Sequence, residues 1–534
     1  MGDDTVNTLK RLLCLTLAGL ICLSVTACAG KPASPHTPNT HDEEREIVMP
    51  EDVNIKRTVT VSPLNRSVMN GGVFEGWGTS LCWWANRVGY SDKLAQLTAD
   101  LFFSEEGLGL NIMRYNIGGG DAPSHRHITR TDSAVPGWLV WDDAAQTYVY
   151  DYTADLNQIN VMQRAVQAAG EDALVEVFSN SPPYFMTESG CSSGAQKADQ
   201  NNLRQDCAQD FAEYLVHVTA YIKNDLGMPV VSLSPMNEPN TDYWKTYSNK
   251  QEGCHVDAGE SQSAILEAVA DAMAKYALDD VLLAASDETN PKLQAAAYKR
   301  YSAKAKNALS RINTHIYSDS GSRALAKLAA KDGMNLWMSE ADGSGTAGKK
   351  ASEMGAALWL GQRIIADVTA LSPSAWVIWQ VIDSHISEEG YNSSRDTGMV
   401  DITGGFWGTA VADHDREEIV LTQKYYGFGQ FTRYIRLGST LISCNKNTLA
   451  AYDAEAQTLT VVLLNTSDKE KTIALDLSAF ALQSGGVQAF RTSGSMANGE
   501  HWAPVTGITA ADKRVVAPLK ANSITTLILH CTLP

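Results

Sequence analysis

The stretch "VVSLSPMNEPNTDYW", Val230 to Trp244, decides how the chain is read. It begins as a short apolar run of strand type. The run stops at Asn237-Glu238-Pro239, so an ionisable carboxylate stands where a strand ends, between an amide and a proline. Pro239 fixes the backbone just after that carboxylate.

Seven further runs of this kind recur between Val73 and Gln380: "VFEGWGTS", "LNIMRYN", "ALVEVFSN", "VLLAASDE", "RINTHIY", "NLWMSE" and "AWVIWQ". Segments with helical spacing separate them. Ser91 is placed to cap one carrying Leu94, Leu97 and Leu101. A second carries Phe211, Leu215, Val218 and Ile222, and a third Met354, Leu358, Ile365 and Val368. Eight strand–helix alternations fit a closed (β/α)8 barrel better than a doubly wound sheet. No strand leads into G-x-G-x-x-G or a Walker loop, and the glycines of "YNIGGGDAP" follow neither pattern, which argues against a nucleotide fold.

Beyond "KYYGFGQFTRYI" the texture changes to short β-rich runs, "LTVVLLN", "KTIALDLS", "GVQAFRTS" and "SITTLILH". These read as a β-sandwich, to which "IKRTVTVSP", ahead of the first barrel strand, adds a strand. The expected fold is α/β: a (β/α)8 TIM barrel over residues 71–420 with an appended all-β sandwich. The sandwich is built from residues 421–534, last helix included, and from residues 51–70.

At 534 residues the chain is longer than one compact core usually holds. The formal net charge of −18, with no basic stripe, speaks against nucleic acid as a partner and for a neutral substrate. Residues 1–28 read as a leader: Lys10-Arg11, the apolar "LLCLTLAGLICLSV" and then "VTAC", which resembles a lipoprotein box with Cys28 as the lipidated residue. Residues 29–50 read as a flexible tether rich in Pro, Thr and charge. The expectation is an exported lipoprotein, facing the cell surface or periplasm and touching the membrane through its lipid alone. Six cysteines remain beyond Cys28, and an oxidising compartment allows disulfides. Cys191 with Cys207 and Cys444 with Cys531 are the candidate pairs among fifteen pairings. None has the C-x-x-C spacing of a zinc site, so no metal is expected.

In a barrel of parallel strands the C-terminal strand ends share one rim, where chemistry gathers. Glu238 ends the fourth run, and Glu340, in "LWMSEADG", ends the seventh. Two carboxyl groups flanking an anomeric carbon are what cleavage of a glycosidic bond needs: one protonates the departing oxygen, the other attacks the carbon or activates water. Asn237 can bond a sugar hydroxyl beside that carbon. Trp83 and Trp84 read either as sugar platforms or as core, and Trp138 and Trp141 as lining a more distant subsite or as core. No G-x-S-x-G elbow stands at a strand–helix turn, which speaks against a serine hydrolase.

These segments, with "GWGTSLCWWAN", "FSNSPPYFM", "QEGCH", "NTHIY" and "ANSITTLIL", resemble glycoside hydrolase family 30 in order and along almost all of the chain beyond the tether. The resemblance implies a retaining double displacement with Glu238 as acid/base, its pKa high in the free enzyme, and Glu340 as nucleophile, the carboxyls about 5–5.5 Å apart. It implies that Arg114 hydrogen-bonds the nucleophile and keeps it ionised, that His315 and Tyr317 form the H-x-Y of the sixth strand, and that Tyr317 lies near the nucleophile. Asp121 would bind sugar hydroxyls at the −1 subsite, and Trp379 would floor that subsite. Some relatives carry a tryptophan in the third-strand segment. Here Ser179 and Asn180 stand near that place, which argues against glucosylceramide-type specificity and leaves recognition to Asn180, Tyr184 or Phe185. The first-strand segment most resembles the β-1,6-galactanase subfamily. The expected partner is therefore β-linked galactan or a related polysaccharide, with no cofactor and a monomeric chain. The alternatives are a β-1,6-glucanase, a β-glucosidase or another exo-β-glycosidase, and, in another class, a non-catalytic surface glycan-binding lipoprotein.

Overall fold

The computed structural model describes residues 54–344, 352–387 and 407–533. The leader, Cys28 and the tether lie outside the described residues, as do residues 51–53. Eight parallel strands close into a barrel in chain order: Gly76–Ser80, Ile112–Asn116, Leu174–Phe178, Val230–Ser234, Leu282–Glu288, Arg311–His315, Asn335–Ala341 and Ala375–Ile378, the last pairing with the first. Each of the eight apolar runs holds one strand. Every residue of the first, second, sixth and eighth strands is buried. Burial on both faces is why these strands read as continuous apolar runs and not as alternating ones.

The barrel interior changes character along its axis. Towards the strand starts, Ile112, Trp337, Ala375 and Val377 form an apolar plug. Above it the filling is ionic. Arg114 and Glu176 stand opposite each other on neighbouring strands and pair at 2.8 Å. Arg311 closes on Glu176 from the sixth strand, and Asn313 and Ser232 hydrogen-bond the same carboxylate at 2.9 and 2.8 Å. Fully buried charges persist only when paired and hydrogen-bonded in this way.

Around the barrel, Ser91 caps the helix Asp92–Thr98, its hydroxyl accepting from the Leu94 N–H at 3.2 Å. Two rim features lie inside what the sequence presents as loops: a hairpin of Leu139–Asp142 with Thr147–Tyr150, and a three-stranded sheet of Ile382–Ile386, Ala410–Asp413 and Glu418–Leu421. Their strands are only four or five residues long, too short for a clear alternating pattern.

The second layer system is a sandwich of a four-stranded and a six-stranded sheet. Ile55–Thr60 runs parallel to Lys471–Asp476 at the edge of the smaller sheet. Val59, Leu475, Phe480 and Leu527 meet in the core between the sheets. The helix Gln423–Thr432 joins sandwich to barrel. Its Gly427 lies so close to Ala357 that a Cβ would stand 2.5 Å from the alanine Cβ, and a Cβ on Gly429 would stand 2.3 Å from the Trp502 ring. On the same helix, Lys424 is buried and donates to Asp342 at 2.6 Å, just past the end of the seventh strand. Removing one member of a buried pair strands the other's charge. Lys424→Met is therefore expected to cost about 3–5 kcal/mol, read as a lower urea midpoint. The double variant Lys424→Met/Asp342→Asn is expected to recover most of it. An unchanged midpoint in the single variant would refute this.

The expected disulfides are corrected: all six described cysteines are free thiols. Cys444 and Cys531 lie on strands of the six-stranded sheet with two others between them. At about 4.8 Å per strand, they are too far apart to bridge. Cys191 faces His127 and Ser193, whereas Cys207 faces Asp206.

Candidate active site

Glu238 follows the fourth strand by four residues, and Glu340 is the sixth of seven residues in the seventh strand. The backbone of Glu238 takes a left-handed conformation, φ 47°, and so does Asp287 at the end of the fifth strand, φ 59°. Such geometry costs of order 1–3 kcal/mol per residue. It is held here by a hydrogen bond from the Glu238 N–H to the Asp287 carbonyl, 2.8 Å. The turn aims the Glu238 side chain across the barrel mouth.

The two carboxylates converge on His315, the last residue of the sixth strand. Its Nδ1 lies 3.1 Å from Glu238 and 3.4 Å from Glu340, and oxygens of the two glutamates lie within 4.8 Å of each other. Tyr317 donates to Glu340 Oε1 at 2.8 Å, and the Tyr243 hydroxyl donates to Glu238 Oε2. Behind them Asp287 binds Arg114 at 3.0 Å and Ser234 at 2.5 Å, accepts from Ser339, and faces His315 Nε2 at 3.5 Å.

Electrostatics follows from this packing. Burial pulls the His315 imidazole down, but the charge of Glu340, hydrogen bonding to Asp287 and Glu238, and the charge of Glu238 more than reverse it and hold it up at about 10, which favours the cationic ring. Burial pushes Asp287 up, yet Arg114 and His315 outweigh it and keep the carboxyl well below the usual range. Burial raises Glu340 to about 7, with the charge of Glu238 adding to it and His315, Arg114 and Tyr317 opposing it. Arg114, Arg311 and His315 thus face four carboxyl groups, Glu176, Asp287, Glu238 and Glu340.

The pocket over this pair measures about 700 Å³. Trp83, Trp379, Tyr317 and Trp407 supply its apolar walls, and Asn237, Arg130, Lys250 and Asp383 its polar ones. Trp83 and Trp379 meet edge to face at 5.1 Å, and Arg130 lies 4.6 Å over the Trp83 ring. Asn237 Oδ1 is buried without a hydrogen-bond partner among the described residues, an acceptor available to a hydroxyl.

Several expected positions differ. Trp84 is core: its ring is fully buried against Phe102 and its Nε1 donates to the Ser80 carbonyl at 2.8 Å, because the helix Trp84–Val88 turns it away from the mouth. Arg114 approaches Glu340 as an ion pair at 3.6 Å without a hydrogen bond, because its guanidinium is already engaged by Glu176, Asp287 and the Ser339 carbonyl. Asn180 is buried and donates to the Cys82 sulfur at 3.6 Å. Asp121, Trp141 and Tyr184 line a second cleft of about 770 Å³, which neighbours the first through the consecutive residues Gln251 and Glu252. Trp138 is core, and Phe185 stacks on Tyr148 at 3.6 Å. Tyr243, Asp287 and Trp407 were not singled out from sequence. Tyr243 had a signal, five residues after Glu238 in the same motif, and Asp287 had another, an acid next to the end of an apolar strand.

Comparison with known proteins bears on this geometry. Residues 70–290 match the family model described as O-Glycosyl hydrolase family 30. The chain is 30% identical over 493 residues to an endo-beta-1,6-galactanase of Hypocrea rufa, covering 88% of this chain and 94% of that protein. It is 28% identical over 528 residues to an exo-beta-1,6-galactobiohydrolase of Bifidobacterium longum subsp. longum, covering 76% of this chain and 34% of that much longer protein. Among solved structures, a glycoside hydrolase family 30 subfamily 8 xylanase from Clostridium acetobutylicum has a TM-score of 0.63 at 18% identity, covering 89% of this chain and 99% of that one. At that identity the likeness concerns the fold alone.

Proposed function

The chain belongs to glycoside hydrolase family 30 and is an O-glycosyl hydrolase, and on that premise we propose that it cleaves β-1,6-linked galactan by double displacement, with retention of anomeric configuration. The observation that carries the mechanism is the Glu238–Glu340 pair, with oxygens within 4.8 Å, both in contact with one buried cationic histidine. A pair this close suits direct attack, since an inverting pair stands about 6.5–9.5 Å apart to admit a water.

Glu340 attacks the anomeric carbon as Glu238 gives its proton to the departing oxygen. A glycosyl–enzyme ester forms on Glu340. Glu238, now a carboxylate, takes a proton from water, and the resulting hydroxide releases the sugar with its configuration kept. Tyr317 and Arg114 face Glu340 and favour its charged form, the form that attacks the anomeric carbon. Trp83 and Trp379 offer rings to the apolar face of the sugar, and Asn237 an acceptor to a hydroxyl.

The galactan reading is supported by the 30% identity to the endo-beta-1,6-galactanase. The second cleft, with its half-exposed Trp141, supports binding of several consecutive sugars and hence internal cleavage. Incubation with β-1,6-galactan, β-1,6-glucan and an aryl β-glucoside tests this. The expected result is a ladder of galactose oligomers from the galactan alone. Galactobiose as the sole early product would overturn internal cleavage, and turnover of the glucan in place of the galactan would overturn the substrate.

The Tyr317 hydroxyl stabilises the charge on Glu340, so Tyr317→Phe raises the pH at which that charge forms. Because attack needs the charged form, the acid limb of kcat/KM is expected to move to higher pH by roughly one to two units. A pH profile with an unmoved acid limb would remove Tyr317 from this role.

A further inference from the structure

Among the described residues, and outside the Glu238–Glu340 pocket, one cluster brings together four side chains of metal-binding type. Asp121, His125 and His127 share the loop after the second barrel strand, and Cys191 reaches them from the loop after the third. One ligating atom from each lies within 4.8 Å of those of the other three. The contacts run 3.1 Å from Asp121 Oδ1 to His125 Nδ1, 3.4 Å from Asp121 Oδ2 to His127 Nδ1, and 3.5 Å from His127 Nε2 to Cys191 Sγ. Zinc bonds of about 2.0–2.3 Å to nitrogen, oxygen and sulfur give a tetrahedron with edges of roughly 3.3–3.8 Å. The four groups are therefore gathered on one spot, and small side-chain movements would close them from within 4.8 Å to that spacing.

We propose that Asp121, His125, His127 and Cys191 form a zinc site that clips these two rim loops together. The donor set of two imidazoles, one carboxylate and one sulfur suits zinc and disfavours the oxygen-seeking magnesium and calcium. Charge agrees with it. A carboxylate and a thiolate balance the two positive charges of the ion, so the occupied site is neutral where a half-buried loop would penalise net charge. On binding, the Cys191 thiol releases its proton to solvent and the ion exchanges waters for side chains, with nothing oxidised or reduced. His127 Nδ1 is buried and, apart from its 3.4 Å approach to Asp121 Oδ2, makes no hydrogen bond among the described residues; the Tyr247 ring lies edge-on to both histidines at 5.2 and 5.3 Å, screening them. Asp121, His125 and His127 line the second cleft, so the ion would fix one of its walls. The competing account is a hydrogen-bonded network without metal, with Ser193 Oγ 3.1 Å from His127 Nε2 and 3.2 Å from the Cys191 sulfur.

The test reads metal and not turnover. The full chain, stripped with a chelator and titrated with zinc in a calorimeter, is expected to bind one ion with submicromolar Kd. Cobalt(II) in the same site is expected to show the strong visible absorption of a tetrahedral centre and a thiolate-to-metal charge-transfer band. Cys191→Ser should abolish that band with the circular dichroism of the fold unchanged. His125→Ala and Cys191→Ser should each weaken zinc binding by at least the 10–100-fold that losing an outer partner costs. No uptake by the wild-type chain would overturn the proposal. So would uptake that both variants retain, or a faint cobalt spectrum without charge transfer.

Discussion

Glu340→Gln is expected to lower kcat on β-1,6-galactan by at least about 10⁴-fold, the scale on which enzymes lose rate when the nucleophile goes. An amide of the same shape still accepts the Tyr317 hydrogen bond and fills the same buried space, so the fold should hold. What it cannot do is attack carbon. Burial and the charge of Glu238 make the Glu340 anion costly, and His315, Arg114 and Tyr317 together support it. This scaffold is thus arranged around a charge that the amide lacks. Affinity for galactan, measured by calorimetry, should stay within a few-fold. The combination separates a catalyst from a glycan-binding protein on a hydrolase scaffold: a binder without activity would show no turnover to lose. Residual activity within tenfold of wild type would exclude Glu340 as the nucleophile.

Glu238→Ala should lower galactan hydrolysis by about 10²–10⁴-fold, the usual contribution of a general acid. Its signature is selectivity. A dinitrophenyl β-galactoside has a leaving group that departs without a proton, so formation of the glycosyl–enzyme is spared. Its breakdown still needs Glu238 as base, so a burst of phenolate equal to the enzyme concentration should precede slow turnover. Azide, which needs no base and can enter the space left by the carboxyl, should speed that turnover and yield the β-galactosyl azide. Equal losses on galactan and on the activated glycoside, with no burst and no azide product, would refute the acid/base role. Tyr243, which donates to Glu238, is cut loose by this substitution, but its ring still packs edge to face on Trp244 at 4.6 Å.

Most of the barrel was legible because its strands obey a simple physical rule. Buried on both faces, they present short continuous apolar runs, and an acid at the end of such a run stands out. Glu238 and Glu340 were found in this way, and they meet in space across more than a hundred residues of chain. Asp287 stands next to last in the fifth run, ahead of Glu288, but its importance depends on a left-handed turn and on contacts from Arg114, Ser234, Ser339 and His315, which no local pattern reports. The Trp83–Trp84 pair shows the same limit. Two identical side chains in sequence go to opposite fates, one to the pocket wall and one to the core, because the helix starting at Trp84 turns successive residues through different directions.

The cysteines failed for a related reason. Cys444 and Cys531 read as a candidate pair, whereas strand order in the six-stranded sheet places two strands between them. Sheet order is a tertiary property that strand patterns leave open. The Asp121 assignment was likewise positional: the residue lies on the expected loop, but its carboxylate turns to His125, His127 and the Ser192 N–H in the second cleft.

The measurement that bears most directly on two carboxylates acting on one anomeric carbon is the configuration of the sugar at the moment of release. Proton NMR of β-1,6-galactan digestion, begun within the first minutes, is expected to show the β-anomer of the new reducing end first, with the α-anomer growing in later by mutarotation. The α-anomer appearing first would mean a single displacement by water, and would contradict a nucleophilic Glu340.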